Sequence, residues 1–233
     1  MKNLFLISSA INAKHGIYTP RERFAQTAAT CKSIQTYCPG AEMIILDGGV
    51  REISQIHLEQ FHNELGVKDV ISYAKDENVK RIQQIHNHDV VKNVIEVLMY
   101  KTYFESVEQF NCDRVFKISG RYRLNSKFNL DIHKSAIEKI VIRGPFKSQF
   151  PSDITGGVEA QYMSRLWSFD SIMLPYIRDA YSKILELMLE RQKTGYIDIE
   201  HCLYAVLDTN IIVEADPIGV EGNIAPNGVG VSD

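Results

Sequence analysis

Apolar and polar positions along this chain switch between a period of two and a period of 3.6, and the switches mark out its elements. Residues 3–9 carry the short apolar run Leu4-Phe-Leu-Ile7, which reads as a buried β-strand. Thr19-Pro20-Arg21-Glu22 combines a capping threonine, proline at the first helical position and glutamate three residues after the cap, which together start a helix. Phe24, Ala28, Cys31 and Ile34 share one face of that helix, and Pro39-Gly40 stops it just beyond Tyr37. Met43–Leu46 is a second buried strand closed by Asp47-Gly-Gly, so the opening is a β-α-β unit of the kind that builds a parallel sheet.

The pattern then recurs as a weaker helix over 52–65, a strand over 68–73, a long helix over 89–108 and a strand over 115–119. Beyond Asn125 the order changes to a strand at 139–143, an extended stretch through 158–167, helices within 171–193 and 197–207, a short strand at 211–213 and a polar, glycine-rich tail. Asp89 and Asp198 sit where helix caps belong. Neither linker nor repeat interrupts the series, which points to one α/β domain.

Composition narrows the classes. A net charge of −3 argues against a general nucleic-acid binder, which should be basic. The four cysteines, Cys31, Cys38, Cys112 and Cys202, form no CxxC pair, so free thiols in a reducing, cytoplasmic setting are expected. The run Leu4–Ile7 is too short for a signal-peptide core, and no segment approaches the roughly 18 apolar residues of a membrane span.

Local chemistry concentrates in Asp113-Arg-Val-Phe-Lys-Ile-Ser-Gly-Arg-Tyr-Arg-Leu-Asn125, where an apolar strand runs into a loop crowded with cations. An extended backbone would put Lys117, Ser119, Arg121 and Arg123 on one face. At the carboxyl edge of an open α/β sheet such cations suit a phosphorylated ligand, and on a solvated strand face they need no ligand at all. No Gly-x-Gly-x-x-Gly follows the first strand and no Gly-x-x-x-x-Gly-Lys-Ser/Thr occurs, so any cradle here is neither a dinucleotide fingerprint nor a P-loop.

The element order resembles the GT-A class of glycosyltransferases. Phe116-Lys-Ile-Ser-Gly-Arg-Tyr122, Tyr162-Met-Ser-Arg-Leu-Trp-Ser-Phe169 and Pro217-Ile-Gly-Val-Glu-Gly222 look like segments of small glycosyltransferase-like proteins of bacteria and their viruses. The resemblance implies a GT-A-like, Rossmann-like three-layer sandwich with a central mixed, mostly parallel sheet. It implies a nucleotide-binding half over about 1–125, an acceptor half over about 126–222 and a polar tail over 223–233 of a single domain spanning 1–233.

It also implies a set of site residues. Ser8, Ser9 and Ala10 after the first strand and Asp47 after the second stand where such enzymes hold the nucleoside; Asp47-Gly-Gly is equally a good turn. Lys92, at the start of the long helix and i, i+4 from Glu96, is a donor contact or half of a surface pair. Arg21 and Arg23, in the first turn of the first helix, either approach a phosphate or are solvated. Many GT-A enzymes place Asp-x-Asp at the end of the mid-chain strand to hold a divalent metal (Mn or Mg), whereas this chain has Lys117-Ile-Ser119-Gly120-Arg121. Lys117 and Arg121 are therefore candidates to neutralise the leaving diphosphate, with any metal role partial. Glu214 and Asp216 are the leading metal alternatives, with His86-Asn-His88-Asp89 behind them. Glu200, Asp153 and His201 are candidate bases, and Trp167 and Phe169 a candidate acceptor platform or simply core.

The expected activity is hexosyltransferase-type: transfer of a sugar from a nucleotide-sugar donor, UDP-linked, to a glycan or glycoconjugate hydroxyl, with no organic cofactor beyond the donor. Two rivals stay open. One is a non-catalytic nucleotide- or glycan-binding module of the same fold; the other is a nucleotidyltransferase, against which stands the absence of glycine from Ile7-Ser-Ser-Ala-Ile11.

Overall fold

The computed structural model of the chain describes residues 1–85, 87–224 and 228–233; His86, one of the candidate metal ligands, lies outside them. Strand β1 (Asn3–Ser9) leads to α1 (Pro20–Tyr37), β2 (Glu42–Asp47), α2 (Gln55–Glu59, continued by a π turn over Gln60–Glu64) and β3 (Asp69–Ser72). The chain continues through α3 (Glu77–Ile82), α4 (His88–Ser106), β4 (Arg114–Ser119), β5 (Tyr122–Leu124), α5 (Leu130–Ser135) and β6 (Ile140–Lys147). After α6 (Ser152–Thr155) come β7 (Ala160–Asp170), α7 (Leu174–Arg191), α8 (Ile199–Val206), β8 (Ile212–Glu214), β9 (Val220–Asn223) and β10 (Gly230–Ser232).

Seven strands form one sheet in the order β3-β2-β1-β4-β7-β6-β8. β3, β2, β1 and β4 pair in parallel, β7 is antiparallel to both β4 and β6, and β6 is parallel to β8, so β7 alone runs against the other six. This is the mixed, mostly parallel sheet the sequence implies.

Alternation along the strands builds the three layers. In β1, Leu4 and Leu6 enter a core with α4, α7 and α8, while Phe5 and Ile7 enter a second core with α1 and the π turn after α2. Each such side chain contributes about 1.5–3 kcal/mol when fully buried. Thr19 caps α1 through a complete capping box, with Glu22 reaching back to the Thr19 backbone N–H at 2.7 Å.

Local expectations change in several places. The cap of α4 is Asn87, whose side chain accepts from the N–H groups of Asp89 and Val90; Asp89 sits in the first turn. Asp198 does cap α8, accepting from the His201 N–H at 3.0 Å. The polar tail is not simply a tail: β10 pairs with β9 and β9 with β5 in a second, antiparallel sheet. There Asp233 is buried and receives Arg143 at 2.5 Å and Arg165 at 2.9 Å. The run of cations also bends, because the chain turns at Gly120-Arg121 and carries Arg123 into that second sheet to pair with Glu221 at 2.6 Å.

Gly120 matters for close approach rather than for backbone conformation. Its N–H donates to the Ser8 carbonyl at 2.8 Å, and a Cβ there would lie 2.9 Å from Thr27 Oγ1 and 3.1 Å from Ser8 O. Gly120→Ala should therefore wedge α1 from the sheet edge and cost about 1–3 kcal/mol in urea unfolding. Gly230→Ala, with nothing within 4 Å of the added carbon, is the control and should be near neutral; equal effects would remove the packing argument.

Candidate functional site

The carboxyl ends of the parallel strands meet at one edge, where Ser8 is level with Ser119 and Ser9 with Asp47. A cleft of about 860 Å³ opens there. It is lined by the turn after β1, the first turns of α1, the Ser119-Gly120-Arg121 turn, the start of α4, Gln161 and Met163–Arg165 of β7, and the start of α8. The stacked rings of His15 and His88, with centroids 3.7 Å apart, join the turn after β1 to the start of α4.

The floor is a buried ion pair. Lys117, 1 % exposed, places Nζ 2.6 Å from Glu96 Oε1 and donates to the Ser164 carbonyl at 2.7 Å. The Ser8 hydroxyl donates to the same Glu96 oxygen at 2.8 Å. Burial alone would raise the Glu96 pKa, but the Lys117 ammonium and these hydrogen bonds outweigh it and hold the carboxyl below its ordinary value. Ser164 also carries the line onward, since its hydroxyl donates to Glu200 Oε1 at 2.5 Å. Glu200 is shifted the other way: burial, then the nearby Asp198, raise its pKa above the usual carboxylate value, against the Ser164 hydrogen bond and the more distant Lys117.

Two guanidiniums also line the cleft. Arg23, 8 % exposed, donates among the described residues only to backbone carbonyls, those of Tyr18 at 3.3 Å and His15 at 3.1 Å. Burial and the neighbouring Arg121 lower its pKa. The Nε of Arg121 is buried without a hydrogen-bond partner, and its guanidinium lies 6.0 Å from the Tyr122 ring centroid.

The structure brings Ser8, Ser9, Ala10, Lys92, Lys117, Ser119, Gly120, Arg121 and Glu200 to this cleft. Asp47 is adjacent but fully buried; it accepts from the N–H groups of Ile11 at 2.8 Å and Gly49 at 3.0 Å, tying the turns after β1 and β2 together. Lys117 is not a free cation, because Glu96 already meets its charge. Lys92 pairs with Asp89 at 2.7 Å, so its i, i+4 relation to Glu96 forms no salt bridge. His201 is wholly buried away from the cleft, with Nδ1 2.5 Å from Asp198 Oδ1 and Nε2 2.8 Å from Ser148 Oγ. Asp153 is exposed on α6 and does not line the cleft, and its carbonyl is an acceptor for Arg191. Trp167 and Phe169 are core residues with no exposure, so they form no acceptor platform.

Glu214 and Asp216 are exposed and outside the cleft, and Asp216 pairs with Arg143 at 2.9 Å. The β4 edge offers a hydroxyl, a glycine and a guanidinium, and among the described residues no group of three His, Cys, Asp or Glu could hold a metal ion. At the β4 edge this donor set does not fit the divalent cation that the GT-A resemblance implies there.

Arg23, one of the two arginines expected either to approach a phosphate or to be solvated, lines the cleft, and Glu96 and Ser164 enter the site beyond what sequence reading singled out. Glu96 had a legible signal: it lies four residues before Tyr100 and seven before Tyr103, on the buried stripe of α4.

The sequence matches no protein-family profile and no curated protein. Solved structures share the fold. The galactosyltransferase LgtC, solved with donor and acceptor sugar analogues, superposes with a TM-score of 0.60 at 11% identity, over 92% of this chain and 73% of that one. Core-mannan synthase A of Aspergillus fumigatus, in a Mn/GDP form, gives 0.61 at 9% identity over 96% and 76%. Mouse xyloside xylosyltransferase 1 gives 0.54 at 9% identity over 92% and 85%. The shared feature is the GT-A fold.

The ion pair makes a sharp stability prediction. Lys117→Met leaves Glu96 without its counter-ion and should cost about 3–5 kcal/mol in urea unfolding, whereas Lys117→Met with Glu96→Gln should recover much of that loss. Additive losses in the double variant would show that the two side chains act independently.

Proposed function

We propose that the protein is a glycosyltransferase that moves a sugar from a nucleotide donor, UDP-linked, to a hydroxyl of a glycan or glycoconjugate in the cytoplasm. The observation that carries this reading is one cleft at the sheet edge lined both by the guanidiniums of Arg23 and Arg121 and by the carboxylate of Glu200. The fold shared with solved sugar transferases supports it. Among the described residues no helix is long and apolar enough to cross a membrane.

In this reading Ser9 and Ala10 border the nucleoside, Ser119, Gly120 and Arg121 face the diphosphate, and the acceptor enters on the side of α8. The acceptor oxygen forms a bond to the anomeric carbon, the bond from that carbon to the diphosphate breaks, and its electron pair leaves on the phosphate oxygen. The hydroxyl proton passes to Glu200, whose raised pKa makes it a stronger base than an ordinary carboxylate. Ser164 fixes the orientation of Glu200 through its hydrogen bond. Asp47 and Lys117 serve as supports: the first sets the two turns at the nucleoside end and the second polarises the floor.

Glu200→Gln should lower transfer by about 10²–10⁴-fold while leaving donor binding intact. The base works ionised, so turnover should fall as pH drops through a midpoint above the ordinary glutamate value, and that acidic limb should vanish in the variant. Donor binding is read by thermal shift, where a ligand at a hundred times its Kd adds about 2.7 kcal/mol to stability. Donor binding with neither transfer nor hydrolysis would make the protein a binding module, and transfer unchanged in Glu200→Gln would remove that residue from the mechanism.

A further inference from the structure

We infer that Arg23 and Arg121 form a guanidinium clamp that binds the diphosphate in place of a divalent cation. The inference rests on the transferase reading for the identity of the whole donor, but the clamp itself is argued from the charges at the sheet edge.

Two guanidiniums held in one partly buried space repel each other, and among the described residues neither has a carboxylate in contact. Among the described residues Arg23 donates to neutral carbonyls alone. Asp47 acts on it electrostatically, and the oxygens of Asp47 are already committed to the N–H groups of Ile11 and Gly49. Arg121 forms no hydrogen bond or ion pair among the described residues; Glu96, the acidic group that acts on it, is already in contact with Lys117. Arg23 also lies in the first turn of α1, at the positive end of the helix dipole, where a cation is disfavoured until an anion arrives.

Each of these placements costs stability in the free protein and is relieved by the same ligand, a compact group with two or more negative charges. A diphosphate meets that description, and planar guanidinium forks match its oxygens in pairs. Gly16 keeps the space: a Cβ there would lie 2.5 Å from Arg23 Nη2 and would push the guanidinium from its seat. The cations that would stabilise a departing diphosphate are then built into the chain, at a β4 edge whose hydroxyl, glycine and guanidinium are not metal donors of the Asp-x-Asp kind.

The test is calorimetric titration of the full chain with inorganic pyrophosphate and with UDP, first in EDTA and then with manganese. Pyrophosphate should bind in EDTA, and Arg121→Gln should weaken it at least ten-fold, a loss of about 1.4 kcal/mol. Arg23→Met should do the same. Because Arg23 is buried, Arg23→Lys, which keeps the charge, is read beside it with circular dichroism to show folding, and Arg121→Gln gives an independent reading at a partly exposed position. Pyrophosphate binding that needs manganese, or that neither arginine affects, would overturn the clamp. Arginine-dependent pyrophosphate binding with no transfer or hydrolysis from any nucleotide sugar would instead sink the transferase reading and leave the clamp standing.

Discussion

The Glu96–Lys117 ion pair is the contact on which the geometry of the cleft depends. Four elements converge on it: β4 supplies the ammonium, α4 the carboxylate, β1 the Ser8 hydroxyl and β7 the Ser164 carbonyl. Charges removed from water are costly, and this pair is stable because nearby donors and acceptors are arranged around it. An apolar pair of similar size would hold the layers together as well. What the charged pair adds is polarity, a line of hydrogen bonds that begins at Ser8 and finishes on Glu200.

That line separates two electrostatic neighbourhoods. In one, Arg23 and Arg121 act on each other with no carboxylate in contact among the described residues; in the other, burial and then the nearby Asp198 raise the Glu200 pKa. Neither cluster is favourable by itself. Like-charged groups kept close in a low-dielectric cleft are a common way of storing binding or proton affinity for a ligand of the opposite sign.

The parallel half of the fold was legible because its signals are local. The Thr19 capping box, the turn after β2 and the apolar runs of β1, β2 and β4 each need only a few neighbouring residues to be read. The second sheet was not legible, since β5, β9 and β10 are three or four residues long and β5 pairs with β9 across about a hundred positions of chain. The cationic run of 117–123 was visible, yet its division was not: Lys117 is consumed by Glu96, Arg123 by Glu221, and Arg121 alone is left facing the cleft. Trp167 and His201 misled for one reason. Aromatic and imidazole side chains look the same in sequence whether they face a ligand or a core, and here both are fully buried.

The seating of Lys117 beneath Ser119-Gly120-Arg121 also limits how this edge can evolve. Converting it to an acidic, cation-dependent site takes carboxylates at positions 119 and 121, and the first to appear would join Glu96 and Glu200 as another anion in a poorly solvated space. Lys117 would also be drawn between old and new counter-charges, loosening the four-element junction before any metal affinity had emerged. A single acidic substitution at position 119 or 121 is thus expected to be less stable than the present chain, so the route from this edge to a cation-dependent one passes through a valley in the mutational landscape.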